Sequence, residues 1–241
     1  MINSTSIKYK LSRLFCKAII QTFEKVSRKY NSTTLPEFDK SLKFNFEGIK
    51  REFLSYYETN NIPSAGEISK EQLRIEDQNK WKTLVLKVFD YYNEANCLSC
   101  PLTHEIISCQ KNNIVSALFS VMEPGTHIKP HRGVFNGVLR YHLGIIVPNS
   151  EDVFINIDNR KTFWQEGKSF IFDDTLLHEA INNSAERRVV LIIDYIKPLP
   201  YVLNIANKMI INIIKKSPLI QNIIENLENV NTKRNSQKGT N

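Results

Sequence analysis

A mainly β (α+β) fold, with a double-stranded β-helix or jelly-roll core and helices at both ends, is the class that this 241-residue sequence predicts. Three observations carry it. Apolar residues recur at helical spacing through the first third of the chain. From about residue 114 they fall into short alternating runs separated by turn residues. After Pro198 and Pro200 the helical spacing returns.

The elements follow in order. Ile7, Leu11, Leu14, Phe15, Ala18, Phe23 and Val26 repeat at helical intervals with basic residues between them, so residues 1–30 read as a basic amphipathic helix. Such a helix packs on its domain or lies on a membrane interface. A second helix is expected over about 43–59, on Phe46, Ile49, Phe53, Leu54 and Tyr57, ended by Asn60-Asn61-Ile62-Pro63. Residues 71–93, with Trp81, Leu84, Leu86 and Phe89, read as a third helical or mixed segment. The jelly-roll core is expected over about 114–197. Its apolar runs are 114–122, 138–147, 153–157, 168–172 and 188–196, and Pro124-Gly125, Gly133, Pro148-Asn149, Glu166-Gly167 and Asn182-Asn183-Ser184 punctuate them. Ile205, Met209 and Ile213, then Leu219, Ile223 and Leu227, place C-terminal helices over 201–230. The polar residues 231–241 are expected to be a disordered tail.

Composition narrows the class. Hydrophobic residues make up 41% and charged residues 24%, ordinary values for a folded domain. No run approaches the length of a transmembrane helix, and Lys8, Lys10, Arg13 and Lys17 interrupt any secretory apolar stretch; a cytoplasmic protein is expected. The net charge of +7 is uneven: residues 1–30 carry +6, residues 197–241 carry +5, and the body between them is acidic. Basic ends around an acidic body do not make a nucleic-acid groove. They suit peripheral contact with an anionic membrane at its inner face, or solvated helices. Cys97 and Cys100 form a lone C-x2-C near His104 and Cys109, for which ordinary loop cysteines outweigh a zinc site.

Chemistry is sought where polar residues occupy core positions. Four of five histidines, His127, His131, His142 and His178, fall in the β region. Alternation puts Arg140 and His142 on one face of their strand, opposite Leu139, Tyr141, Leu143 and Ile145. It likewise groups Arg188, Val190, Ile192 and Asp194. A guanidinium directed into a barrel needs an anionic partner: Asp194 for one of the arginines, or a bound dicarboxylate held in bidentate fashion. His131 and His178 stand at strand rims where they can converge on a metal. Two histidines and a carboxylate would be the usual non-haem iron set, yet the residue two after His131 is Gly133.

The stretch Phe119-Ser120-Val121-Met122-Glu123-Pro124-Gly125-Thr126-His127-Ile128-Lys129-Pro130-His131-Arg132-Gly133, with Asn136 and Leu139-Arg140-Tyr141-His142-Leu143-Gly144, resembles the aspartyl/asparaginyl β-hydroxylases, Fe(II)- and 2-oxoglutarate-dependent dioxygenases with a cupin-like core. So do Trp164-x-Glu166-Gly167-Lys168, Phe172-Asp173-Asp174 through His178-Glu179, Arg188 and Asp194. The upstream Trp81 and Cys100-Pro101-Leu102-Thr103 also fit, and the resemblance covers about 40–200, within a hydroxylase domain of 31–200. It implies Fe(II) on His131 and His178 with no protein carboxylate, so Gly133 becomes a match; Asp173 and Asp174 then serve in hydrogen bonding and turn formation. It further implies that Arg188 and Ser120 clamp the distal carboxylate of 2-oxoglutarate, that Arg140 and His142 stand around the metal and substrate, and that Trp81 packs near the cosubstrate. Hydroxylation of an unactivated C–H with O2 follows. The expected substrate is the β-carbon of an Asp/Asn-type residue in a peptide or protein, with the acyl chain of a membrane lipid as the alternative.

Overall fold

The computed structural model describes residues 20–238 except 31 and 77. Two antiparallel sheets face each other. The larger has the strand order β2-β1-β3-β10-β5-β8 and the smaller β4-β9-β6-β7. Their strands are β1 (Trp81–Val88), β2 (Tyr91–Tyr92), β3 (Ile114–Met122), β4 (Thr126–His131), β5 (Val138–Ile146), β6 (Val153–Ile157), β7 (Arg160–Thr162), β8 (Ser169–Phe172), β9 (His178–Asn182) and β10 (Arg188–Ile196). The jelly-roll reading is thus realised.

Period-two alternation sorts the large sheet into two faces. Ala117, Phe119 and Val121 of β3, Tyr141 and Leu143 of β5, and Val189, Leu191 and Ile193 of β10 pack on one side. There they meet α2 (Phe38–Phe44), α3 (Phe46–Thr59), α5 (Glu94–Ser99) and α6 (Pro101–Cys109). Met122, Val190 and Ile192 point the other way and meet Ile128, Val153, Ile155 and Ala180 of the small sheet. The expected grouping of Arg140 with His142, and of Arg188 with Asp194, therefore places all four on the barrel side. Tyr141 locks the helical layer to the sheet by donating its hydroxyl to buried Asp39 of α2 at 2.9 Å.

Three expectations are corrected. After the short α4 (Ala65–Ile68), residues 71–93 take the mixed form, the end of a 3-10 turn (Lys70–Arg74) followed by β1 and β2, so the sheet begins at Trp81 rather than near 114. Leu84, Val85, Leu86 and Val88 are all buried, because β1 has helices on one face and further apolar cover on the other. A strand buried on both faces loses its alternation signature. The 43–59 helix is two helices, broken at Asn45. At the other end, α7 (Tyr201–Lys215) is followed by α8 (Pro218–Lys238), so most of the expected tail is helical. Asn231 bonds Asn93, while Arg234 donates to Asn96 and the Asn61 carbonyl and lies over the Tyr56 ring. Polar partners, not apolar burial, hold that last turn.

The N-terminal amphipathic segment lies mostly outside the described residues. Its end, α1 (residues 20–27), packs on the domain: Phe23 is buried against Phe135 and Ile210, and the Ser27 hydroxyl donates to Asn136 at 2.7 Å. Cys97, on α5, and Cys100, in the bend between α5 and α6, are both buried core thiols, their pKa values pushed up by burial to about 11 and about 12. His104 packs edge-on against Tyr92 instead of facing them.

Candidate active site

The barrel mouth is built where β4 meets β9. His131 and His178 are direct partners across these strands, with ring centroids 4.2 Å apart and planes at 54°. The register slips between Ile128 and His131, a bulge containing Pro130, which has no ladder N–H to lose. The bulge frees the Lys129 carbonyl to accept from His131 Nδ1 at 2.8 Å. His178 has the same arrangement: its Nδ1 lies 2.8 Å from the Leu176 carbonyl. Asp173 shapes the turn that offers it, accepting from the Thr175 N–H and hydroxyl at 3.0 and 2.6 Å. A carbonyl can only accept, so both Nδ1 atoms carry the proton and both Nε2 atoms keep a free lone pair. Burial also keeps both rings neutral. His178 is pushed down to about 4 by burial and then by the neighbouring His131, and His131 is lowered by burial despite its carbonyl partner. Two neutral imidazoles with fixed tautomers have the chemistry that metal ligation requires.

Gly133 explains why a carboxylate is missing beside them. A Cβ there would sit 2.3 Å from the carboxyl atoms of Asp174. The Asp174 carboxylate fills that space but is turned to Arg140, 3.1 Å away. Arg140 also binds Asp194 through two bonds of 2.8 and 2.9 Å. Burial opposes its charge, but Asp194 and Asp174 outweigh burial and hold its pKa above the ordinary value. Arg140 thus has its counter-ions within the chain, the Asp194 pairing that alternation left open beside a bound ligand. Among the described residues, no third His, Cys, Asp or Glu joins the histidine pair in a metal-binding group.

Deeper in the barrel lies a second constellation. Arg188, 1% exposed, donates from one terminal nitrogen to the Ser120 carbonyl and hydroxyl at 3.1 and 3.2 Å. Its other terminal nitrogen contacts the Met122 sulfur, and its Nε has no partner among the described residues. No carboxylate pairs with it there. Burial alone pulls its pKa down to about 9. Trp81, at the start of β1, donates its indole N–H to the same Ser120 hydroxyl at 3.0 Å. The predicted Trp81, Ser120 and Arg188 therefore form one cluster.

Trp164 bridges this cluster to His142. Its ring lies 4.2 Å beneath the Arg188 guanidinium, and its Nε1–H donates to His142 Nδ1 at 3.0 Å. That bond makes Nδ1 an acceptor and puts the His142 proton on Nε2, a buried donor with no partner among the described residues. Burial, then the charges of Arg140 and Arg188, lower the His142 pKa well below its usual range. Arg188 Nε and His142 Nε2 are thus two buried donors without a partner among the described residues. Buried donors of this kind ask for acceptors, and carboxylate oxygens are suitable ones. Trp164 stood in the sequence motif without a role; only its two partners reveal one. The remaining barrel histidine, His127, is exposed and pairs with Glu179 at 2.8 Å, apart from the site.

Comparison with known proteins fits this geometry. Residues 43–198 match the family model of aspartyl/asparaginyl beta-hydroxylase. The chain is 35% identical over 199 residues to an ornithine lipid ester-linked acyl 2-hydroxylase of Rhizobium tropici, a match covering 82% of this chain and 70% of that protein. It is 31% identical over 173 residues to the aspartyl/asparaginyl beta-hydroxylase of Homo sapiens, covering 69% of this chain but 22% of that protein. Among solved structures, the Schizosaccharomyces pombe Cnp3 cupin domain aligns with 55% of this chain and 72% of its own at a TM-score of 0.36 and 9% identity. With its histidine pair and buried arginine inside the matched segment, the chain belongs to the aspartyl/asparaginyl beta-hydroxylase family.

Proposed function

We propose that the protein is an Fe(II)- and 2-oxoglutarate-dependent dioxygenase that hydroxylates an unactivated C–H bond. One observation carries the reading: a guanidinium buried without a carboxylate partner lies in the same barrel as two imidazoles whose Nδ1–H groups are capped and whose Nε2 atoms are bare. These residues fit both groups. His131 and His178 would hold the iron, and Arg188 with Ser120 would hold the distal carboxylate of 2-oxoglutarate. His142 Nε2–H would donate to another oxygen of the cosubstrate, and Trp164 keeps that proton on Nε2. The bound iron and keto acid supply O2 activation with release of succinate and CO2. The chain's own part is to orient: Trp81 and Ser120 fix the Arg188 fork, Asp174 and Asp194 fix Arg140, and the apolar barrel wall excludes water.

For the substrate, the β-carbon of an Asp/Asn-type residue needs a cation for the substrate carboxyl or carboxamide. Arg140, the residue expected to provide it, is already paired to two aspartates. Beside the exposed Lys129 and Arg132, the rim near the histidines carries exposed apolar side chains: Leu176 and Leu177 are about two-fifths exposed, and Val134 is 78% exposed. Those residues suit a hydrocarbon chain, and with the extent of the match to the acyl hydroxylase they favour the acyl-lipid reading. The test supplies Fe(II), 2-oxoglutarate and O2 with either an ester-linked acyl lipid or Asp/Asn-containing peptides. Products gaining one oxygen are then sought by mass spectrometry alongside succinate. Hydroxylated lipid supports the acyl reading and hydroxylated peptide the other. Succinate formation indifferent to Arg188→Ala refutes the site assignment.

A further inference from the structure

We propose that the outward face of α7 docks the protein onto an anionic lipid bilayer. The proposal rests on the acyl-lipid reading for its purpose, but its observations are separate. α7 is apolar on two sides. Asn207 and Ile210 are buried, with Ala206 and Ile214 partly buried, against α1, Phe135 and α8. On the opposite side Tyr201, Val202, Ile205, Met209 and Ile213 form a stripe at helical spacing, continued by Leu219 at the start of α8. Tyr201 and Val202 are three-quarters or more exposed, and Met209 is 64% exposed. A soluble surface helix normally turns charge to water, so a continuous apolar stripe marks an interaction surface.

Charge identifies the partner. Between Asp194 and Glu225 the sequence contains Lys197, Lys208, Lys215 and Lys216 and no acidic residue. Lys208 on α7 and Lys216 just after it are exposed. The α1 segment, packed beside α7, adds exposed Lys25 and, in the turn that follows, Arg28 and Lys29, against a single Glu24. An apolar stripe flanked by lysines is the pattern of a helix lying in an anionic interface, where each basic residue contributes about 1 kcal/mol.

Placement gives the face its use. The loop 132–137, which leaves the rim at His131, ends beneath α7: Phe135 is buried against Phe23 and Ile210, and Asn207 donates to the Gly137 carbonyl at 2.7 Å. Exposed Val134 lies in the same loop. A bilayer seated on α7 therefore lies beside the mouth through which an acyl chain would enter.

The test is co-sedimentation of the full chain with vesicles of phosphatidylglycerol and phosphatidylcholine, or of phosphatidylcholine alone. Wild type should pellet with the anionic vesicles and bind them less well as salt rises. The double substitution Ile205→Glu with Met209→Glu should weaken binding about tenfold or more while leaving thermal unfolding unchanged. Three results overturn the proposal: wild type staying in the supernatant at low salt; unchanged binding by the double variant, with loss only when Lys8, Lys10, Arg13 and Lys17 are neutralised; or a solution dimer that the double variant splits, which assigns the face to a second copy. Hydroxylation of detergent-dispersed lipid separates the two readings. If that reaction fails while vesicle binding still depends on Ile205 and Met209, docking stands and the acyl-lipid reading falls.

Discussion

Replacing Arg188 by methionine should stabilise the protein in buffer and abolish its response to 2-oxoglutarate. The magnitude follows from the site. Burial lowers the Arg188 pKa to about 9, a shift that disfavours the charged form by several kcal/mol. Because the folded-state value lies below the unfolded one, the penalty is complete below about pH 9 and relaxes as pH rises above it. At neutral pH the protein carries it in full. Methionine keeps much of the volume and removes the charge, and exchanges of buried charge for apolar groups have been neutral or stabilising by about 1–4 kcal/mol. For a chain of this size the stabilising end of that range is an increase in Tm of about 2–16 °C. Wild type loaded with Fe(II) should gain about 5–10 °C when 2-oxoglutarate is added at about one hundred times its Kd, from a linkage energy of about 2.7 kcal/mol. Scanning calorimetry of both proteins, with and without the keto acid, reads all four states. If the variant melts below wild type and still gains the full increment from 2-oxoglutarate, Arg188 is an ordinary structural arginine and the clamp is misassigned.

Further outcomes follow from the neighbouring contacts. Trp164→Phe keeps a ring under Arg188 but removes the N–H that fixes His142, so affinity for 2-oxoglutarate should fall about tenfold by calorimetric titration, with a loss of about 1–3 kcal/mol in stability. Gly133→Ala drives a Cβ into the Asp174 carboxyl and must dislodge it from Arg140, costing about 2–3 kcal/mol by urea denaturation and most of the turnover. Asp39 is disfavoured as an anion by burial, but bonds from Ser169, Lys43 and Tyr141 outweigh this and hold its pKa below 3.8. Its stabilising share is therefore present above pH 3.8 and lost as pH falls through the lower folded-state value. Asp39→Asn should flatten the acid limb of stability against pH and cost about 1–3 kcal/mol at pH 7.

The parts of this site legible in sequence are those that strand alternation controls. Arg140, His142, Arg188 and Asp194 could be assigned to faces because β5 and β10 alternate with period two and their opposite residues are apolar, whereas Ser120 came from the family motif alone. Alternation gives a face and no partner. It could not tell that Arg140 would spend its fork on Asp194 and Asp174 while Arg188, on the same strand as Asp194, would be left without a carboxylate. β1 was obscured for a related reason: with Leu84, Val85 and Leu86 all buried it shows neither period. α8 was obscured because its last turns are held by Asn231 and Arg234 finding polar partners far away in sequence, and hydropathy patterns carry no trace of such bonds. Trp164 had a motif position but no role until its ring and its N–H were seen to serve two different residues.

The central claim, a metal gripped by His131 and His178 alone, is tested most directly by calorimetric titration of Fe(II), or of Mn(II) in its place, under anaerobic conditions. One ion should bind per chain, binding should be lost in His131→Ala and in His178→Ala, and it should survive in Asp174→Asn. Undiminished binding in both histidine variants, or its loss in Asp174→Asn alone, would contradict the two-histidine site.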